Sequence, residues 1–254
     1  MGRLGEQIKT APLGKTHLFF LGQSGFIIKS AAGELLAIDL YLSDCVERFE
    51  KDAGFRRLLP KLLYPEELKF DVIICTHPHL DHFDIDAVPE MMCNGVTELL
   101  CSVDCKKLIE QTQMEYFEKN ISYVAPEDHH KIGSFDIDFV DCDHGEGAPD
   151  AVGVIVTVDG KKIYEAGDTC LRLDRVISLP RDLDVLIGPI NGAYGNMNED
   201  ELTQLAELLK PKTTIPCHYG MTALHHGDVG LFYEMMRAKK LPCTLMRQGE
   251  GIEL

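Results

Sequence analysis

The chain has 254 residues, 45% hydrophobic and 26% charged, enough apolar material for a buried core. Its 25 Lys and Arg stand against 41 dispersed Asp and Glu, a formal charge of −16 that repels polyphosphate backbones and disfavours a nucleic-acid partner. With no apolar signal core near the start, no run near the roughly 18 to 20 apolar residues of a membrane span, and nine scattered cysteines, a cytoplasmic protein with reduced thiols and no membrane partner is expected.

In chain order, residues 17–21 read as a strand, and residues 26–29 and 35–39 as a hairpin around Ala31-Ala32-Gly33. Residues 72–75 are all apolar, as in a strand buried on both faces. A helix is expected over 103–111, and His129 and His130 fall in a polar stretch that reads as a surface turn. Residues 135–140 alternate as a half-buried strand does. Residues 152–158 and 162–165 flank Asp159-Gly160, a pair suited to a tight primed turn. Further strands are expected over 185–190 and 213–217, with helices over 199–209 and 228–239. Asn198 caps the first of these helices and Pro211 stops it. Hairpins precede strand–helix units, and the order recurs after about residue 150 without a low-complexity linker. Residues 1–254 therefore read as one α/β domain of two similar halves, two sheets face to face with helices outside.

The chemistry concentrates in Asp71-Val-Ile-Ile-Cys-Thr-His-Pro-His-Leu-Asp-His-Phe-Asp84, which contains H-x-H-x-D-H as His77, His79, Asp81 and His82. His77 and His79, two apart in an extended turn, project to one side, while Asp81 and His82 aim at a second point close by. Two metals about 3.5 to 4 Å apart suit those two pairs. One segment cannot complete two coordination shells. His144, Asp168 and His218 each follow an apolar strand, the place where a rigid scaffold carries functional groups.

The order H-x-H-x-D-H, His, Gly-Asp-Thr, His resembles that of the metallo-β-lactamase superfamily, across residues 17–249. Within it the chain most resembles the L-ascorbate-6-phosphate lactonase-like branch. The supporting text is Phe20-Leu-Gly-Gln-Ser-Gly-Phe26, Tyr164-Glu-Ala-Gly-Asp-Thr169 and Ile215-Pro-Cys-His-Tyr-Gly220. The resemblance implies a four-layer αββα sandwich with two divalent ions, Zn2+ or Mn2+, in a cleft at one edge. It puts His77, His79 and His144 on the first metal and Asp81, His82 and His218 on the second. Asp168 bridges both, and Asp39 orients the histidine loop from behind.

Two divalent ions against the Asp81 and Asp168 carboxylates leave a positive centre, which acidifies a bridging water toward a pKa of about 7. The expected activity is hydrolysis by that metal-bridging hydroxide, opening a lactone of a small sugar acid, phosphorylated or not, with Asp81 catalytic. Asn191, Tyr194, His225 and His226 are candidate substrate contacts, and Arg172 and Arg175 candidate phosphate partners. A phosphodiesterase or nuclease of the same fold is the alternative. The implied partner is a small-molecule substrate, with homo-oligomerisation left open.

Overall fold

The computed structural model describes residues 3–50 and 52–254. β1 (His17–Gly22), β2 (Gly25–Lys29) and β3 (Leu35–Ile38) form an antiparallel meander. β4 (Val72–Cys75), β5 (Glu98–Ser102) and β6 (Ile121–Val124) extend it in parallel. The second sheet repeats the plan. β7 (His129–Ile132), β8 (Phe135–Asp141), β9 (Val152–Val158) and β10 (Lys161–Glu165) are antiparallel, and β11 (Val185–Pro189) and β12 (Thr213–Cys217) continue in parallel. The last strand, β13 (Glu250–Glu253), returns to the first sheet beside β1.

Strand side chains alternate between faces, and this alternation makes the layers. Leu18, Phe20, Val72 and Ile74 enter the core between the sheets with Phe135, Ile137 and Val154. Their neighbours Phe19, Leu21, Ile73 and Cys75 face a second core, closed by Leu4 and Ile8 of α1 (Arg3–Thr10) and Val88 and Met91 of α3 (Ala87–Met92). Between those two helices lies the short α2 (Cys45–Phe49). Later in the chain come α4 (Lys106–Gln111), α5 (Leu173–Val176), α6 (Glu199–Leu209) and α7 (Val229–Ala238). α6 packs on β11 so closely that a Cβ at Gly188 would meet Leu202 at 2.7 Å. The result is the αββα sandwich. Among the described residues no helix is long and apolar enough to cross a membrane.

Four expectations are corrected. The second half begins at β7, near residue 129 rather than 150, because β7 is a polar edge strand. There His129 and His130 are paired strand residues, not a turn, and His129 Nδ1 lies 2.8 Å from Asp138 Oδ1. The helix expected over 103–111 opens as a 3-10 turn, with α4 starting at Lys106. The hairpin strand ends at Ile38, leaving Asp39 beyond it with φ 48°. α1 was not foreseen. Its C-terminal carbonyls are satisfied from far along the chain, the buried Lys29 Nζ donating to the carbonyls of Ile8, Lys9 and Ala11 at 2.8–2.9 Å.

Candidate metal centre

Four loops leave the C-terminal ends of strands and meet at one edge of the sandwich. The His77–His82 loop follows β4, His144 follows β8, Asp168 follows β10 and His218 follows β12. The two sheets are stitched beside this point, where Val152 N–H donates to the Thr76 carbonyl at 3.1 Å. Gly167 makes the turn that delivers Asp168. Its φ is 67°, and a Cβ there would lie 3.0 Å from the Val152 carbonyl oxygen, so only glycine fits.

The imidazoles of His77, His79 and His144 form one set. His77 Nε2 and His144 Nε2 each lie 3.0 Å from His79 Nδ1, with ring centroids 4.7–4.8 Å apart. One N–H at most can serve three nitrogens crowded this way. Three lone pairs turned toward a common point describe the arrangement better than hydrogen bonding. Burial holds all three rings below the usual imidazole range, His144 down to about 4, so they are neutral at pH 7.

Asp81, His82 and His218 form the second set, their ligand atoms within 4.8 Å of one another, as are those of the first. Asp168 stands between the sets. Its Oδ1 is 3.4 Å from His82 Nε2 and 2.7 Å from His218 Nε2, and its Oδ2 is 3.9 Å from His144 Nε2. The 2.7 Å approach lies outside hydrogen-bond geometry, so Asp168 Oδ1, His82 Nε2 and His218 Nε2 are all buried without a partner. Buried polar atoms are rarely left so. Three of them aimed together fit a cation, and the fold and donor set suit divalent ions. Burial would lift the Asp168 carboxyl, yet the His218 and His82 rings hold it well below the usual range. Burial would lower His82, but Asp168, Asp39 and Asp81 outweigh it and hold that ring well above the imidazole range.

Asp39 sets the tautomers. Its Oδ2 accepts from His82 Nδ1 at 2.7 Å and from Thr76 Oγ1 at 2.6 Å, and its Oδ1 accepts from Thr76 N–H at 2.8 Å. Because the Thr76 hydroxyl proton is committed to Asp39, its oxygen accepts from His77 Nδ1 at 3.0 Å. One buried carboxylate therefore turns Nε2 of both His77 and His82 toward the centre, the His77 lone pair free and that of His82 available once its Nε2 proton leaves. Asp39 and His77 also approach each other closely enough to form a ligand triad with His82, but these hydrogen bonds already use the carboxylate oxygens. Farther along the same loop, Asp84 accepts from Leu42, Ser43, Asp86 and Ala87 N–H groups and pins it from below.

Two amides escaped the sequence reading. Gln23, in the β1–β2 turn, places Nε2 2.8 Å from Asp81 Oδ2 and 3.0 Å from His218 Nδ1, and its carbonyl accepts the His218 N–H at 2.8 Å. Asn196 donates to Asp168 Oδ2 at 2.8 Å and to Asn191 Oδ1 at 3.1 Å. Neither amide carries a spacing signature. The only hint was their position in glycine-punctuated turns.

A cavity of about 320 Å³ opens over the centre. Asn191, Tyr194 and His225 line it. His226 does not. It is exposed, with Nδ1 near the Gly227 carbonyl, because side chains of consecutive loop residues diverge. Arg172 and Arg175 are also misplaced as phosphate partners. Arg172 is bound by Asp143 and Asp174, Arg175 lies 3.9 Å from Asp141, and both line a different pocket. All nine cysteines are free, and burial pushes the Cys75, Cys142 and Cys217 thiols well up, away from thiolate chemistry.

This fold and donor set suit a metal-dependent hydrolase, the class that comparison with known proteins gives. The family model described as the beta-lactamase superfamily domain matches residues 18–219. A UPF0173 metal-dependent hydrolase of Archaeoglobus fulgidus is 30% identical over 202 residues, spanning 74% of this chain and 84% of that one. Igni18, a metallo hydrolase of Ignicoccus hospitalis, superposes with a TM-score of 0.70 at 22% identity, over 94% of this chain and 98% of its own. A Veillonella parvula structure described as a possible metal-dependent hydrolase gives 0.73 at 18% identity, over 94% and 100%. These two likenesses speak to the fold. The chain belongs to the beta-lactamase superfamily domain family, and within it to the UPF0173 metal-dependent hydrolases.

Proposed function

We propose that the protein is a dinuclear hydrolase that opens a lactone or a comparably activated ester, as the resemblance to the ascorbate-phosphate lactonase branch suggests. The observation that carries this reading is the convergence of His82 Nε2, His218 Nε2 and Asp168 Oδ1, buried and unpartnered, beside a second set of three facing imidazoles. His77, His79 and His144 would hold one ion and Asp81, His82 and His218 the other, with Asp168 offering one oxygen to each set. Three imidazoles suit zinc, while the more oxygen-rich second set accepts manganese. Bound there, two divalent ions supply an acidified water and a Lewis acid for a carbonyl oxygen.

The chain's own groups do the rest. Asp81 faces the cavity and is held at Oδ2 by Gln23, so it can orient the water and return a proton to the leaving ring oxygen. Asn196 keeps Asp168 turned toward both sets. The cavity volume suits a compact small molecule rather than a polymer.

The test uses one metal-loaded preparation, assayed by elemental analysis, against a panel of lactones and phosphodiesters. Chelated protein and Asp81→Ala serve as controls. Lactone opening should vanish on chelation and fall about 100-fold or more in Asp81→Ala. Good turnover of phosphodiesters with every lactone inert would replace this reading with the phosphodiesterase. Activity that survives chelation would remove both.

A further inference from the structure

The floor and wall of the cavity differ in character. The polar centre forms the floor. The wall is apolar and aromatic, made by Val46, Ala53, Phe55, Leu80, Tyr194 and His225. Its rings are mutually packed, Phe55 lying 5.0 Å from His225 and 5.9 Å from Tyr194, with Tyr194 5.1 Å from His225. Hydrogen bonds tie the wall together across three loops. His225 Nε2 donates to the Ala53 carbonyl at 2.7 Å, with Tyr194 Oη 3.3 Å from the same nitrogen. Asn191 Nδ2 donates to the His225 carbonyl at 3.3 Å.

Exposed apolar side chains stand beside lining residues in the chain, Phe49 before Glu50 and Leu224 before His225. Phe49, Tyr194 and Leu224 are 64%, 60% and 56% exposed, and Leu224 covers Gly54. Among the described residues, no Lys or Arg lines the cavity. Beyond the carboxylates of the centre, the charged group on its lining is Glu50. Arg57, half-buried two residues beyond Phe55, is spent on the carbonyls of Tyr41, Ser43 and Leu59.

We infer that this wall selects an uncharged lactone or ester carrying a flat apolar group, aromatic or alicyclic, which stacks against Phe55, Tyr194 and His225. The inference rests on the hydrolase reading above and narrows its substrate. A phosphate or carboxylate on the same carbon would find no cation among the described residues of the wall and would face Glu50. The chain's overall charge of −16 adds to that repulsion. A flat apolar group would instead cover rings that are otherwise wet, with the stacking preference of aromatic pairs.

Five-membered lactones bearing phenyl, carboxylate, phosphate or ammonium at one carbon, with the unsubstituted ring as reference, test this. Turnover is read as kcat/KM, and binding is read separately by calorimetry with the matching cyclopentanones, which cannot be hydrolysed. The phenyl compound should exceed each charged one by about tenfold or more in both readouts. Phe55→Ala should cut the phenyl-to-unsubstituted ratio about tenfold, mainly through KM, and Phe55→Leu should recover part of it. Tyr194→Ala should act in the same direction. Preferred turnover and binding of the carboxylate or phosphate compound would overturn the inference and leave the hydrolase standing. Preference for ammonium would assign recognition to Glu50 and overturn it too. Phenyl-selective binding of the ketones with no lactone turned over would retain the wall and sink the lactone-opening reading.

Discussion

Replacing Asp39 by Asn tests how far one uncoordinated side chain governs the centre. The substitution keeps the size of a side chain that is fully buried, so packing is conserved. What changes is the donor count. In the parent, one carboxylate oxygen accepts from both His82 Nδ1 and Thr76 Oγ1, and the other from Thr76 N–H. An amide offers one acceptor and one NH2 group, so in either orientation a donor faces a donor. If the amide oxygen stays on Thr76 N–H, His82 relieves the clash by moving its proton to Nε2, into the place of the ligand lone pair. Thr76 must turn its hydroxyl as well, and His77 loses a fixed acceptor. Loss of a charge-assisted hydrogen bond is worth about 1.5–3 kcal/mol, which corresponds to roughly a 10- to 100-fold loss in cation affinity. The second set should suffer most, since its His82 contacts Asp39 directly, and the first set less, through Thr76. Competition titration against a chromophoric chelator, with circular dichroism to establish folding, measures this. A folded Asp39→Asn protein that binds both ions within about twofold of the parent would refute the tautomer argument.

Asp168→Ala should retain less metal after desalting than His218→Ala, because Asp168 faces both sets; equal retention of two ions would show that it does not bridge. Ion uptake should depend on pH unequally. The rings of His77, His79 and His144 are held below the usual imidazole range and are already neutral at pH 7, so the first ion should bind with little pH dependence above about pH 7. His82 is held above that range, so it is protonated at lower pH and must release its proton to bind. Affinity for the second ion should therefore fall about tenfold per unit as pH drops below the His82 pKa. Calorimetry in buffers of different ionisation heat counts the proton, and finding none released would contradict the assignment. Lys29→Met should cost about 1–3 kcal/mol in a denaturant titration, since three carbonyls near the end of α1 lose their donor. An unchanged midpoint would show that water replaces it freely.

Strands were legible where burial makes them apolar, as in β4, β9 and β11, and the ligand loop was legible because H-x-H-x-D-H is dense in one residue class. The rest failed for identifiable reasons. β7 and β13 are edge strands with polar, partly exposed faces, so neither shows a hydrophobic period. α1 is short, and its stabilising donor lies about twenty residues away on β2. At the centre, charge and imidazole could be read from spacing, whereas Gln23 and Asn196 act through amides that look like ordinary turn residues. Arg172 and Arg175 were read by charge alone, and their partners, Asp143, Asp174 and Asp141, are fixed only by the fold.

The backbone around the centre explains why those amides matter. Ten non-glycine residues among those described have positive φ, and Gln23, Asp39, Tyr194, His218 and His225 are five of them. Such conformations cost on the order of 1 kcal/mol or more each and persist only where surrounding contacts fix them. Here the contacts run between the sheets. His218, on the second sheet, gives its N–H to the carbonyl of Gln23, on the first, and its own carbonyl takes the Gly227 N–H. Each ligand set is also split the same way. His77 and His79 come from the first sheet and His144 from the second, while Asp81 and His82 meet His218 across the same seam. An ion bound by either set would thus hold the two sheets together as well as prepare the chemistry. By mass action it would stabilise the folded chain by about 2.7 kcal/mol at a hundredfold excess over its dissociation constant. That linkage supplies a physical reason for strained turns to gather at this edge: the interactions that position the ligands are the ones that close the sandwich.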